Sequence, residues 1–252
     1  MISPGLCSVT LRDLDPAGVI DVVRRAGLSC VEWGGDVHVP PGDLAAASDV
    51  RARSEDAGVA IASYGSYFRA GVHDLLDANA ILDTAATLGA PRVRIWAGDV
   101  DSADASAAQW TSIVASVAGV AEAAAAAGLS VGLEFHRGTL TDTAGSTARL
   151  LRELPETVST YWQPPVGLTD DEALAGLDEV RGRVSTLHVF SWSPTGKRLP
   201  LRHRETLWHR VFSHINGAHD GLLEFVPDDD PDGVVRDART LIGLVRPEEQ
   251  PA

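Results

Sequence analysis

Lysine is nearly missing from this chain. Lys197 is the single one, and 35 acidic residues stand against 21 lysines and arginines, for a formal charge of −14 over 252 residues. Such a surface repels phosphate backbones and anionic lipid, and the arginines form no long basic run, so nucleic-acid and membrane-surface partners are not expected. Long hydrophobic runs are missing too. The most apolar stretch, Val120 to Ala127, contains Glu122 and is too short to span a bilayer, and the start Met1-Ile2-Ser3-Pro4 has neither the basic residues nor the apolar segment of a secretion signal. A cytoplasmic location is the expectation. Only two cysteines occur, Cys7 and Cys30, both within apolar strand-like segments; they read as reduced, buried thiols, and no disulfide framework is implied. No Gly/Ser linker or repetitive segment divides the chain, which leaves one domain over residues 1–246 and a frayed tail over 247–252.

What is present is a regular alternation. Apolar strand-like cores recur near Leu6, Val31, Ile61, Ile95, Leu133, Thr160, Val189 and Leu223. Between and after them lie helical patterns at Pro16 to Ala26, Asp43 to Ala57, Leu75 to Leu88, Ala107 to Ala127, Thr143 to Leu154, Asp170 to Val180, Arg204 to Ile215 and Pro231 to Val245. Glycines 27, 58, 89 and 128 stand where four of those helices should stop. Eight strand-helix units, at a spacing of about thirty residues, predict an α/β fold: a parallel sheet closed into a (β/α)8 TIM barrel.

In such a barrel the working side chains stand at the C-terminal ends of the strands. The segment Val131-Gly132-Leu133-Glu134-Phe135-His136 alternates between a face for the helices and one carrying a carboxylate and an imidazole. Other strands end in Val31-Glu32-Trp33, Arg94-Ile95-Trp96, Tyr161-Trp162-Gln163, His188-Val189-Phe190 and Leu223-Glu224-Phe225. Two glutamates, a histidine and an amide oxygen arriving from consecutive strands fit an octahedral divalent cation, which prefers oxygen donors with some imidazole. Glu32 and Arg94 also point inward by parity, as an interior ion pair or as a substrate contact. His136 shares a face with Glu134 and is placed to hydrogen-bond a substrate or to support a cation's ligands. Of the aromatic residues near the mouth, parity sends Trp33 and Trp162 towards the helices and leaves Trp96 and Trp192 as pocket candidates. The most basic stretch, Ser193 to Arg204, offers Lys197, Arg198 and Arg202 to an anionic group, or is an exposed loop; the acidic Asp228-Asp229-Asp230 that follows argues against a phosphorylated substrate.

The pattern Gly132-Leu133-Glu134-Phe135-His136, a sixth-strand polar residue before Pro164, then Leu187-His188-Val189 and Leu223-Glu224-Phe225 resembles the xylose isomerase-like TIM-barrel family of sugar isomerases and epimerases, in the superfamily that also contains AP endonuclease family 2. The resemblance implies a metal held by Glu134, Gln163, His188 and Glu224, with Mn2+, Mg2+, Co2+ or Zn2+ as the cofactor, and Glu134 and Glu224 as the catalytic carboxylates. The family carries an aspartate where this chain has Gln163, and a histidine where it has Val166. The implied activity is proton transfer through an enediolate on a small sugar, polyol or keto acid, with Glu32, Trp96, His136, Trp192, Lys197 and Arg202 as substrate contacts. Two alternatives stay open: a dehydratase or lyase using the same barrel, and a non-catalytic sugar-binding barrel with a degenerate metal site. Nuclease activity is not expected, because strands three and four offer Tyr64 and Trp96 in place of the extra ligands of a multi-zinc cluster. A small carbohydrate is the expected partner, and a homo-oligomer is left open.

Overall fold

Helix starts along this chain are fixed by side chains that turn back on the backbone. Asp15, Asp43, Asp74, Ser106, Thr143 and Thr169 each accept a hydrogen bond from an amide N–H in the first turn of the helix that follows, and each such cap is worth roughly 0.5–2 kcal/mol. The helices so begun are α1 (Pro16–Ala26), α2 (Leu44–Asp56), α3 (Leu75–Leu88), α4 (Ala107–Ala126), α5 (Ala144–Glu153) and α6 (Asp170–Val180). At Asp74, Ser106 and Thr169 the residue three positions on returns the bond, closing a capping box. Gly27 and Gly89 end α1 and α3 in the left-handed conformation, at φ 70° and 80°. Two further helices, α7 (Glu205–His214) and α8 (Pro231–Val245), complete the set in the computed structural model, which describes residues 1–245. The tail expected to fray, 247–252, lies outside the described residues.

The strands are β1 (Ile2–Cys7), β2 (Cys30–Gly34), β3 (Ala60–Arg69), β4 (Arg92–Trp96), β5 (Ser130–Leu133), β6 (Val158–Trp162), β7 (Val184–Val189), the short pair β8 (Ser191–Trp192) and β9 (Arg198–Leu199), and β10 (His219–Leu223). Eight of them close into a parallel barrel in the order β1-β10-β7-β6-β5-β4-β3-β2. This is the (β/α)8 barrel that the alternation predicts. The loop read from sequence as basic and irregular differs from expectation: β8 and β9 pair antiparallel, Ser191 with Leu199 and Trp192 with Arg198. That hairpin stands over one side of the mouth.

Residues of the strands alternate between two environments. Leu6, Val31, Val93, Ile95, Val131, Leu133, Leu187, Val189 and Leu223 are buried in the layer between barrel and helices, and truncating one of them to alanine should cost about 2–5 kcal/mol. The inward positions hold polar groups, and two glycines make room for them. A Cβ on Gly132 would lie 2.4 Å from the Tyr161 ring, and one on Gly65 would lie 2.8 Å from Glu32 Oε1 and 3.1 Å from Arg94 Nη2. Register shifts in β3, against β2 and against β4, re-aim its residues. Tyr64 therefore lies fully buried with its hydroxyl donating to the Val39 carbonyl, while Tyr67 reaches the mouth.

Candidate active site

Five ionisable side chains meet at the C-terminal end of the barrel: Glu32 from β2, Arg94 from β4, Glu134 just past β5, His188 from β7 and Glu224 just past β10. None is more than 5% exposed. His188 Nδ1 is the point of convergence, 3.1 Å from Gln163 Oε1, 3.2 Å from Glu224 Oε2 and 3.8 Å from Glu134 Oε1. Arg94 Nη1 lies 2.9 Å from Glu134 Oε2 and 3.5 Å from Glu32 Oε1, and Ser63 donates to Glu32 Oε2 at 2.7 Å. Trp96 Nε1 also donates to Glu134 Oε2, so that one oxygen of Glu134 is held by two donors while the other faces His188. The tight anchoring comes from β4, whose residues 94 and 96 are two apart and share a face.

The charges do not balance. Three carboxylates face one permanent cation, which leaves two negative charges in a buried volume when His188 is neutral. The titratable groups respond accordingly. Burial alone would lower the His188 pKa, but Glu224, Glu134 and Glu32 overcome it and push it up to about 9. Burial raises Glu224, and the charge and hydrogen bond of His188, followed by Arg94, bring it below the usual carboxylate range. Arg94 loses solvation through burial but is held charged by Glu134, Glu32 and Glu224. Cys7, at the end of β1, places its thiol within 4.8 Å of donor atoms of both His188 and Glu224; burial and then Glu32 push its pKa well above the usual value, so it enters the cluster as a neutral group.

Cys7, His188 and Glu224 hold their donor atoms within 4.8 Å of one another, a group that does not include Glu134, and the wider set around His188 is of a kind that a divalent cation accepts. That wider set offers carboxylate oxygens, an amide oxygen and an imidazole nitrogen, the mixture that hard and borderline cations take. The separations of 3.1, 3.2 and 3.8 Å around His188 Nδ1 bring an amide oxygen and two carboxylates to one imidazole nitrogen. The residual charge of the cluster matches a dication, and the proton on His188 is the group such an ion would displace. Gln163, neutral and one methylene longer than the aspartate of the family's pattern, brings its Oε1 to 3.1 Å from His188 Nδ1.

Above the floor formed by Arg94, Glu134, Gln163 and Glu224 opens a cavity of about 810 Å3. Trp96, His136 and Trp192 line it, as expected from their positions in the sequence. The Trp96 and His136 rings lie 5.1 Å apart, and Trp192 stacks against Phe190 at 4.8 Å. Glu32 and His188 sit behind the floor and do not line the cavity. Lys197 and Arg202 are exposed and are not brought to the cavity at all; Arg198 is tied instead to Asp229 and to the face of Phe225. Trp33 is core, as parity predicts. Trp162 does both jobs, packing edge-on against Trp208 and also forming cavity wall.

Sequence reading missed one group at the rim. Arg12 pairs with Asp36 and donates to the Tyr67 hydroxyl at 2.6 Å, and Tyr67 stands edge-on to Trp96 at 5.3 Å. Arg12 lies in the loop after β1, where no periodicity marks it. His38 was equally silent: it joins Ser8 Oγ at 3.0 Å to the Leu14 carbonyl at 3.1 Å and so ties two mouth loops together.

Among solved structures the chain is similar to the probable 3-DHS dehydratase AsbF of Bacillus anthracis, involved in petrobactin synthesis, with a TM-score of 0.80 at 17% identity over 96% of this chain and 98% of that one. An L-ribulose 3-epimerase superposes with a TM-score of 0.71 at 17% identity, over 97% and 94% of the two chains. A xylose isomerase-like TIM barrel protein from Mycobacterium smegmatis in complex with magnesium gives 0.70 at 15% identity, over 93% and 90%. Identities this low establish a shared fold and no more. No curated protein matches the sequence. The family model described as xylose isomerase-like TIM barrel matches residues 20–216. With that match over most of its length and a closed eight-stranded parallel barrel beneath it, the chain belongs to the xylose isomerase-like TIM barrel family.

Proposed function

We propose that this protein is a divalent-metal-dependent isomerase or epimerase, moving a proton at the carbon beside a carbonyl of a small sugar, polyol or keto acid through an enediolate. The observation that carries the reading is the meeting of Gln163, Glu224 and Glu134 oxygens within 3.8 Å of His188 Nδ1 at the floor of a cavity. When held by Glu134, Gln163, His188 and Glu224, a cation of the Mn2+, Mg2+, Co2+ or Zn2+ class supplies Lewis-acid polarisation of the carbonyl.

The chain's own groups supply the rest. In the metal-free protein His188 and then Arg94 hold the Glu224 pKa down; a cation bound in place of the His188 proton would keep it ionised with Arg94, as an acceptor for a proton. Glu134 reaches the cavity from a different strand, and Arg94 and Trp96 fix its orientation, which suits it to the opposite proton transfer. Arg94 lines the cavity as a permanent cation and offsets charge that builds on the substrate oxygens. Trp96, His136 and Trp192 wall the space in which a ring would be held.

The test is solvent exchange. Protein loaded with Mn2+ is incubated in D2O with a panel of ketoses, ketopolyols and keto acids, and products are read by NMR and mass. Deuterium at the carbon beside the carbonyl, with product of unchanged composition and loss of both in Glu224→Gln, is the expected result. Product lacking one water would place the protein with the lyases, and no exchange with any member of the panel would contradict the reading.

A further inference from the structure

Glu224 and Phe225 are adjacent in sequence, and both line the cavity. An extended strand does not favour this, because successive side chains point to opposite faces. β10 keeps the alternation as far as Leu223: Leu222 packs with Cys7 and Cys30 on the inner side, and Leu223 packs in the layer under the helices. Continued alternation turns Glu224 inward, as observed, and Phe225 outward. The outward place is filled instead one residue later by Val226, which joins the same core as Leu223, while Phe225 packs against the inner cluster of Cys7, Val9, Cys30, Ala62 and Leu222. The break lies at Phe225 itself, whose φ of 54° is left-handed. A bulky L-residue is sterically disfavoured there and stays only where its surroundings hold it.

The holding groups are identifiable. The Phe225 N–H donates to Thr10 Oγ1 at 3.0 Å, and Thr10, in the segment after β1, is fully buried and does not line the cavity. One residue earlier, the Glu224 N–H donates to the Val189 carbonyl at 3.1 Å. Glu224 is therefore fixed by its own amide to β7 and by the next amide to the segment after β1, and its carboxylate arrives 3.2 Å from His188 Nδ1. The Phe225 ring is covered by the Arg198 guanidinium, 4.7 Å from its centroid, and by Trp192, at 6.2 Å between centroids.

We propose that Thr10 is a positioning residue for Glu224: by accepting the Phe225 N–H it keeps that residue left-handed, and the turn so fixed aims the Glu224 carboxylate at His188, Gln163 and Glu134. This rests on Glu224 being a metal ligand of the floor, and it adds to that reading the device that sets its direction. Without the Thr10 hydroxyl the Phe225 N–H loses its acceptor and the strained turn loses its tie. The backbone then relaxes towards the extended form, and Glu224 turns with it.

Two pairs of variants test the device by calorimetric titration with Mn2+. Thr10→Ser keeps the acceptor and Thr10→Val keeps the volume. The serine variant should bind Mn2+ within about threefold of the natural protein, and the valine variant at least about tenfold more weakly. Phe225→Gly and Phe225→Ala both lack the ring, but glycine takes a positive φ freely and alanine does not. The glycine variant should bind Mn2+ at least about fivefold more tightly than the alanine variant; glycine's extra freedom in the unfolded chain lowers stability and leaves this ratio alone. Should Thr10→Val fail to fold, the Phe225 pair decides by itself. Equal affinities within either pair overturn the positioning role and leave the metal reading standing. Absence of Mn2+ binding by the natural protein overturns both.

Discussion

Arg92 and Arg94 stand two residues apart on the same strand and point into the same barrel, yet they live in opposite surroundings. Near the N-terminal end, Arg92 donates to Thr186 Oγ1 at 2.9 Å and reaches Asp220 Oδ2 at 3.4 Å, one cation against one carboxylate. At the C-terminal end, Arg94 faces Glu32 and Glu134 directly with Glu224 beyond, and both its Nε and His188 Nε2 lack a hydrogen-bond partner among the described residues. The lower layer is a finished structure, with its charges paired in place. The upper layer carries a surplus of negative charge, a raised histidine and an open cavity, features that match the cation and substrate proposed for it. Buried charge is expensive unless compensated, so a fold that keeps an unbalanced cluster at one end and a balanced pair at the other has put function where the imbalance is.

The comparison breaks most visibly through the carboxylates. Glu134→Gln or Glu224→Gln keeps shape but removes a negative donor and a base, and each should lower turnover by about 10^3-fold or more without unfolding the protein; steady-state rates alongside circular dichroism check this, and full activity in either variant rejects the two-carboxylate scheme. Next comes the pair of arginines. Arg94→Met leaves Glu32 and Glu134 buried without their shared guanidinium and should cost about 3–5 kcal/mol in metal-free protein, with Mn2+ recovering part of it. Arg92→Met, leaving only the partly exposed Asp220, should cost about 1–2 kcal/mol and gain nothing from Mn2+. Thermal melts with and without the metal decide whether the two layers differ in kind.

The pH response is smaller. His188 is raised from 6.5 to about 9 in the fold, so its contribution is fully present below pH 6.5 and is lost as pH rises through 9. Metal-free protein should therefore lose at most about 3 kcal/mol between pH 6.5 and 10, and His188→Gln should flatten that part of the profile. Gln163→Asp restores a third negative donor and should tighten Mn2+ binding by about tenfold; equal affinity would remove Gln163 from the ligands. Last, Lys197→Ala should change kcat/KM by less than about twofold, because Lys197 is exposed and outside the cavity.

Much of this was legible in the sequence for reasons that can be named. Helix stops were readable because Gly27 and Gly89 mark them through local chemistry, whereas the caps at Asp15, Asp74, Ser106 and Thr169 emerge with the structure. The strand-end glutamates and His188 were readable because a parallel strand places alternate residues on one face, and the barrel closes those faces on one axis. Three things were hidden. The β8–β9 hairpin has no alternating apolar pattern, and its pairing rests on a turn in which Ser193 N donates to the Lys197 carbonyl. Register shifts in β3 hid which of its tyrosines is core and which reaches the mouth: Tyr64 is buried and Tyr67 lines the cavity. The roles of Arg12 and His38 depend on loops that meet only in three dimensions. Cys7 was correctly read as a buried thiol, but its neighbours His188 and Glu224 are 181 and 217 positions away, and nothing local connects them.

The central claim is that the unbalanced upper layer holds a divalent cation through Glu134, Gln163, His188 and Glu224. It is tested most directly by calorimetric titration of metal-stripped protein with Mn2+ at neutral pH, repeated in two buffers of different ionisation enthalpy so that released protons are counted. The account predicts about one ion per chain, release of about one proton as His188 gives up its charge, and loss of the binding isotherm in His188→Ala and Glu224→Gln. An isotherm that persists unchanged in both variants, or no binding by the natural protein, would contradict it.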